Sequence, residues 1–215
     1  MFPRPPVEIV PGAIHVPDWL PAGTQRTLVE YCRRRATGPA PMRATKLPRG
    51  GTMSVQTACL GWHWAPYRYS RTADDVDGAR VPAMPSWLQE LGRRALADAH
   101  GSDDESTYRP DAALINFYDP HARMGMHQDK EERSPEPVVS LSIGQSCVFR
   151  LGSADRRSGP HIDLEFHSGD LLVLGGPARL AYHGVTKLRP GAVDPDVGLR
   201  SGRLNITLRV TGLAG

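Results

Sequence analysis

Between Ala112 and Tyr118 the side chains sort onto two faces of an extended segment. Leu114, Asn116 and Tyr118 share one face, and Ile115 and Phe117 share the other. The same period of two recurs where Val139, Leu141 and Ile143 alternate with Ser140 and Ser142. Short runs follow at 147–151, 162–166, 171–174, 181–185 and 203–210. Turn signals separate them: Gly144, Gly152, Ser168-Gly169-Asp170, Gly175-Gly176-Pro177 and Pro190-Gly191. Strands this short and this punctuated predict a mainly β protein, a sandwich or jelly roll, rather than a parallel α/β sheet. Two helices flank them. The first runs from Pro21 to about Ala36, with Leu28 and Cys32 four apart. The second runs from Pro85 or Ser86 to His100, with proline in its first turn, Leu88 and Leu91 on its apolar face and Gly101 as the stop. The polar stretches 74–80, 153–160 and 192–202 read as exposed loops.

A length of 215 residues suits one domain. Its organisation is read as an N-terminal extension over about 1–110, lidding and bracing a β core over about 111–212. A net charge of +3 permits a nucleic-acid partner without demanding one. Cys32, Cys59 and Cys147 are odd in number and widely spaced, which argues for free thiols in a reducing compartment and against a disulfide framework or a zinc knuckle. The first residues, MFPRPPVEIV, contain no apolar signal core, and no stretch is long enough to span a bilayer. A soluble, cytoplasmic, monomeric protein is expected.

The chemistry starts at His127-Gln128-Asp129 with His183 far downstream. Two imidazoles and one carboxylate are the ligand set of a mononuclear non-haem Fe(II) site, which leaves one side of the metal open. On an extended backbone, residues two apart point the same way, so His127 and Asp129 share a side. Alone, a His-x-Asp pair arises often by chance, and surface or core-capping histidines account for it equally well. In Arg203-Leu204-Asn205-Ile206-Thr207-Leu208-Arg209 the odd positions are polar and the even ones apolar. An ordinary amphipathic strand with its polar face in water gives that stripe. If the strand is packed on both faces, its arginines need an anion, and a carboxylate fits a guanidinium bidentately. Asn116 and Tyr118 supply a second polar pair just ahead of His127. Trp62, Trp64, Tyr67 and Tyr69 serve either a core or the gripping of an unstacked base. The run Lys130-Glu131-Glu132-Arg133 reads as solvated, unless a neighbouring metal turns Glu131 toward a cationic substrate.

Taken in order, GGTMSV, LGW at 60–62, PAMP at 82–85, LINFY at 114–118, HQDKEE at 127–132, VSLSIG at 139–144, HSGDLLVLGG at 167–176, YHGV at 182–185 and RLNITLR at 203–209 resemble the AlkB family. That family comprises Fe(II)- and 2-oxoglutarate-dependent dioxygenases that dealkylate nucleic-acid bases. The resemblance implies a double-stranded β-helix with an N-terminal nucleotide-recognition lid. It implies Fe(II) on His127, Asp129 and His183, with 2-oxoglutarate and O2 as co-substrates. Arg209 and Tyr118 would hold the distal carboxylate, and Asn116, Asn205 and Arg203 the other end and the metal ligands. Trp62 and the exposed face of His127 would sandwich the base. Tyr67, Gln128, Lys130 and Arg156 would contact substrate or its phosphates, Met53 and Ser54 would lie in the lid, and Glu131 would favour a cationic lesion.

The activity so implied is oxidative demethylation of bases of the 1-methyladenine and 3-methylcytosine type, in single- or double-stranded DNA and in RNA, releasing formaldehyde, succinate and carbon dioxide. The alternatives are the same chemistry on tRNA or a protein side chain, and a non-catalytic binding module. Glu131 departs from the aspartate of well-known members, and Leu174 from a tryptophan.

Overall fold

The computed structural model describes residues 4–48, 50–101 and 107–213. The expected boundary near residue 110 thus follows directly on residues outside the described set. The chain opens with a hairpin, β1 (Val7–Val10) and β2 (Ala13–Val16), followed by α1 (Ala22–Ala36). Next come β3 (Arg43–Lys46), β4 (Thr52–Leu60), the short pair β5 (His63–Ala65) and β6 (Arg68–Ser70), and α2 (Ser86–His100). Then follow β7 (Ala112–Tyr118), β8 (Met124–His127), β9 (Val138–Gly144), β10 (Cys147–Gly152), β11 (His161–Phe166), β12 (Leu171–Leu174), β13 (His183–Leu188) and β14 (Arg203–Arg209).

An eight-stranded sheet, ordered β1-β2-β12-β9-β14-β7-β4-β3, faces a four-stranded sheet ordered β11-β10-β13-β8. All pairings within both sheets are antiparallel. This is the expected double-stranded β-helix. The N-terminal part contributes strands to it: β1 and β2 extend the large sheet at one edge, β4 and β3 at the other.

β14 shows why the alternating pattern matters. It lies between β9 and β7, and all seven of its residues are buried. Leu204, Ile206 and Leu208 pack with Leu28, Leu88 and Leu96 of the two helices in one core. Arg203, Asn205, Thr207 and Arg209 therefore point inward, toward the small sheet. The polar stripe is not a water-facing surface, and that reading is overturned by the helices covering the other side. A second core between the sheets contains Tyr118, Phe149, Phe166 and Leu172. A third, with Cys59, Leu114, Trp64 and Tyr69, seats β5 and β6 on the large sheet.

Both helices fall where periodicity puts them, and Gly101 closes α2 in the left-handed conformation. The three cysteines are free and buried. Two expectations need correction. The strand read at 181–185 begins at His183 and runs to Leu188. Ala178 and Ala181 are apolar because they are buried in the 3-10 turn and loop before it, not because they pair. The loop 192–202 is not uniformly exposed. Val197 is 2% exposed, seated in the core under α1, where Arg26 donates to the Asp196 carbonyl and Arg33 to that of Gly198. No helix among the described residues is long and apolar enough to cross a membrane.

Candidate active site

His127 ends β8 and His183 begins β13, and the antiparallel register sets them opposite each other. Their ring centroids lie 4.4 Å apart. Gly184 permits this approach, because a Cβ there would meet the Met124 carbonyl oxygen at 2.6 Å. Asp129 follows two residues after His127, and the potential ligand atoms of all three residues lie within 4.8 Å of one another. Each histidine Nε2 stands 3.7 Å from an Asp129 oxygen. Each Nδ1 faces a carbonyl oxygen, that of Gly125 at 3.0 Å for His127 and that of Ala181 at 2.9 Å for His183. A carbonyl only accepts, so Nδ1 carries the proton and Nε2 keeps a lone pair for a metal.

The electrostatics suit a cation. Burial alone would raise the Asp129 carboxyl. The charge of Arg209, then of His183, His127 and Arg179, outweighs it and holds Asp129 well below the usual carboxylate range. Burial, aided by His127, pushes His183 down to about 4, so its imidazole is neutral at pH 7. Phe149 stacks on His183 at 5.7 Å. The side chain of His127 is 38% exposed against 11% for His183, so the metal set opens on the His127 side.

A cavity joins these three residues to the inward stripe: Asn116 and Tyr118 from β7, Ser142 from β9, and Arg203, Asn205 and Arg209 from β14 all line it. Arg203 pairs in register with Tyr118, and its guanidinium lies 5.3 Å from the phenol ring. Burial pushes Tyr118 up to about 12, so its hydroxyl is protonated and free to donate. Arg203 is 3% exposed, and its Nη2 donates to Ser142 Oγ at 2.9 Å. Its Nε and Nη1 are buried without a partner. Unpaired buried donors on a charged group are costly, and a carboxylate in the cavity would satisfy them.

Arg209 differs. Its Nη2 meets Asp129 Oδ1 at 2.8 Å and its Nη1 meets Glu132 Oε1 at 2.8 Å. Its charge is balanced already. The two arginines are thus placed differently: Arg203, beside Tyr118, has unpaired donors on the cavity, whereas Arg209 is already paired with Asp129 and Glu132. Asn205 donates its amide to Ser140 Oγ and the Leu141 carbonyl, tying β14 to β9. Asn116 accepts from Thr57 Oγ1 at 2.8 Å, which leaves its NH2 for the cavity.

The residues expected to touch substrate divide. Trp62 does not line the cavity: it is 9% exposed, its Nε1 donates to Asp111, and the Arg71 guanidinium covers one face at 3.5 Å. Arg71 is itself held by the Gly61 carbonyl. Gln128 spends its amide on the carbonyls of Ala154 and Leu180, which anchors the metal segment rather than reaching outward. Ser54 both donates to and accepts from the backbone of Arg123, pinning β4 to the loop before β8. Met53 is half-buried; Tyr67 is 71% exposed in the turn between β5 and β6; Lys130 and Arg156 are exposed. Glu131 is half-buried, and burial, then Glu132 and Asp129, raises its carboxyl.

Sequence reasoning passed over two residues, Glu132 and Arg179. Glu132, expected in a solvated run, has a side chain that is 0% exposed. It accepts from Tyr69, Arg209 and Arg179. Arg179 also donates to the backbone carbonyls of Asp129 and Glu136. Nothing in the spacing separates Glu132 from Glu131; only the fold shows which of the two turns inward.

A family model for the 2OG-Fe(II) oxygenase superfamily matches residues 12–209. The chain is 38% identical over 210 residues to an alpha-ketoglutarate-dependent dioxygenase AlkB homolog of Caulobacter vibrioides, covering 95% of this chain and 90% of that one. The chain belongs to the AlkB family of Fe(II)/2-oxoglutarate dioxygenases. It is also 32% identical over 222 residues to the DNA N(6)-methyladenine demethylase ALKBH1D of Arabidopsis thaliana, covering 94% of this chain and spanning about half (50%) of that relative's length. The solved structure of OsALKBH1 superposes with a TM-score of 0.83 at 29% identity, covering 95% of this chain and 99% of that one. An AlkB-family member carries Fe(II) and uses 2-oxoglutarate and O2. The donor set here fits that requirement: two imidazoles, one carboxylate held ionised and a buried guanidinium with two unpaired nitrogens line one cavity.

Proposed function

We propose that this chain is an oxidative demethylase of N-alkylated bases in DNA, with RNA as a second target, acting on cationic lesions of the 1-methyladenine and 3-methylcytosine type. One observation carries the reading: the His-Asp-His set and the Arg203 guanidinium, with two of its nitrogens unpaired, line the same cavity. His127, Asp129 and His183 would hold Fe(II). Arg203 and Tyr118 would grip the distal carboxylate of 2-oxoglutarate, with Asn116 beside them. When bound, the metal and co-substrate supply the oxidising power: 2-oxoglutarate and O2 become succinate and carbon dioxide, and the methyl group is hydroxylated and leaves as formaldehyde.

The protein's own share is placement. Arg203 would hold one carboxylate of the diacid in the same cavity that His127, Asp129 and His183 line. Phe149 and Phe166 wall that cavity with apolar surface and keep water from it. The exposed face of His127 offers a surface for the base, and Tyr67 and Lys130 stand free to meet the nucleic-acid backbone. Glu131 places a carboxyl group two residues past Asp129, whose oxygens would accept hydrogen bonds from a cationic base. The name of the Arabidopsis relative adds N6-methyladenine in DNA to the lesions worth testing.

The test is formaldehyde release over time from methylated DNA, methylated RNA and methylated peptides, each with Fe(II), 2-oxoglutarate and ascorbate. Release from the DNA or RNA oligomers supports the proposal. Release from peptides alone, or succinate without formaldehyde on every substrate, contradicts it.

A further inference from the structure

Glu132 sits where three parts of the molecule meet. From β6, in the segment expected from sequence to form the lid, Tyr69 donates its hydroxyl to Glu132 Oε1. From β14, Arg209 Nη1 reaches the same oxygen at 2.8 Å and the Tyr69 hydroxyl at 3.3 Å. From the turn before β13, Arg179 Nη2 reaches Oε2 at 3.1 Å. The other arm of Arg209 holds Asp129 Oδ1 at 2.8 Å, and the other arm of Arg179 holds the Asp129 backbone carbonyl at 2.7 Å. The side chains of Glu132, Arg209, Asp129 and Arg179 are 0%, 4%, 5% and 8% exposed.

Two rigid guanidinium forks therefore clamp Asp129 by side chain and by backbone, and both forks register on one carboxylate. A guanidinium is planar and does not adapt by bending. A shift of Glu132 is passed to both forks and so to Asp129. What holds Glu132 from the lid side is the Tyr69 hydroxyl. A carboxylate needed only to neutralise the two arginines would require no phenol from a separate three-residue strand.

We propose that Glu132 is a positioning residue that ties lid strand β6 to the metal-ligand carboxylate, so that seating of the nucleic acid on the lid is felt at Asp129. The inference rests on the function proposed above and adds a regulation of the same site: co-substrate turnover is matched to lid occupancy. When β6 is displaced, Tyr69 leaves Glu132, the forks relax, and the metal carboxylate loses its fixed orientation.

The test uses the full chain loaded anaerobically with Mn(II) and 2-oxoglutarate, read by amide hydrogen exchange. Loading the wild type slows exchange at 124–129 and at 183–188, and also at 68–70, there by about fivefold, the worth of one hydrogen bond. In Tyr69→Phe the slowing at 68–70 is lost while that at 124–129 persists. The link is overturned if Tyr69→Phe retains protection at 68–70, or if the wild type protects 124–129 and leaves 68–70 unchanged. A wild type protected nowhere refutes the metal-site reading itself, and this inference with it.

A second measurement covers Glu132 directly. With Fe(II), ascorbate and a methylated oligonucleotide, Tyr69→Phe and Glu132→Gln form severalfold more succinate per formaldehyde than the wild type, with the 2-oxoglutarate half-saturation unmoved. A parallel fall of both products, at an unchanged ratio, marks a merely structural role and overturns the proposal.

Discussion

Arg203→Ala separates binding of the diacid from stability of the empty protein, and the two effects have opposite signs. Arg203 is 3% exposed, with two donor nitrogens buried and unpartnered. No ion-pair partner reaches it among the described residues, whereas Arg209 meets two carboxylates. Removing Arg203 therefore relieves an uncompensated charge in the co-substrate-free protein, and its melting temperature holds or rises. When 2-oxoglutarate binds, the mutant leaves the distal carboxylate buried without its partner. Truncating one member of such a pair costs about 2–5 kcal/mol. Tyr118 still donates, which places the loss near 3 kcal/mol, or about 100-fold in half-saturation at roughly 1.4 kcal/mol per decade. Arg203→Lys keeps the charge but not the fork and falls between. The assay is an anaerobic titration of the visible charge-transfer absorption of the Fe(II)·2-oxoglutarate complex, paired with a melt of the empty protein. An unchanged half-saturation, or a mutant that melts well below the wild type when empty, refutes the assignment.

Arg209→Ala gives the converse result: it strands Asp129 and Glu132 without their shared partner, and chemical denaturation of the empty protein shows a loss of about 3–5 kcal/mol. His127→Ala and Asp129→Ala each abolish formaldehyde release, and near-normal release from either excludes ligation there. Acid destabilises the metal-free protein through His183. Its folded value of about 4 lies below its ordinary 6.5, so the unfolded chain takes up a proton that the folded chain refuses. That stability is whole above pH 6.5, is lost as pH falls toward 4, and at about 1.4 kcal/mol per pH unit amounts to about 3 kcal/mol. Denaturation curves of wild type and His183→Gln across that window check it, since the mutant lacks the decline. Trp62→Ala lowers stability by about 3 kcal/mol or more, as a buried indole is lost together with its bond to Asp111. A mutant of wild-type stability with weakened lesion binding would return Trp62 to the base site.

The residues legible in sequence are those whose pattern is local. That Arg203, Asn205 and Arg209 share one face follows from the strand period, the helices on the other side turn that face inward, and pairing of β14 with β7 brings Asn116 and Tyr118 alongside. The metal set is legible as residue types, and the register of β8 with β13 completes it. What sequence could not give is which of two chemically equal residues takes which partner. Arg203 and Arg209 sit on one face of one strand; their roles separate because Asp129 and Glu132 lie at only one end of it. Glu131 and Glu132 are adjacent acids, and only the turn after β8 decides that the second is buried. Trp62 and Gln128 have the right types for substrate contact, yet Asp111, Arg71 and two backbone carbonyls already engage them. The apolar start of the 181–185 run predicts a strand two residues too early, because burial and strand pairing leave the same mark on composition.

The most direct test of the central claim is an anaerobic crystal structure with Fe(II) and 2-oxoglutarate. The account predicts one iron held by His127, Asp129 and His183, with the diacid's far carboxylate against Arg203 and Tyr118. Iron bound elsewhere, or a diacid whose far end lies on Arg209, would contradict it.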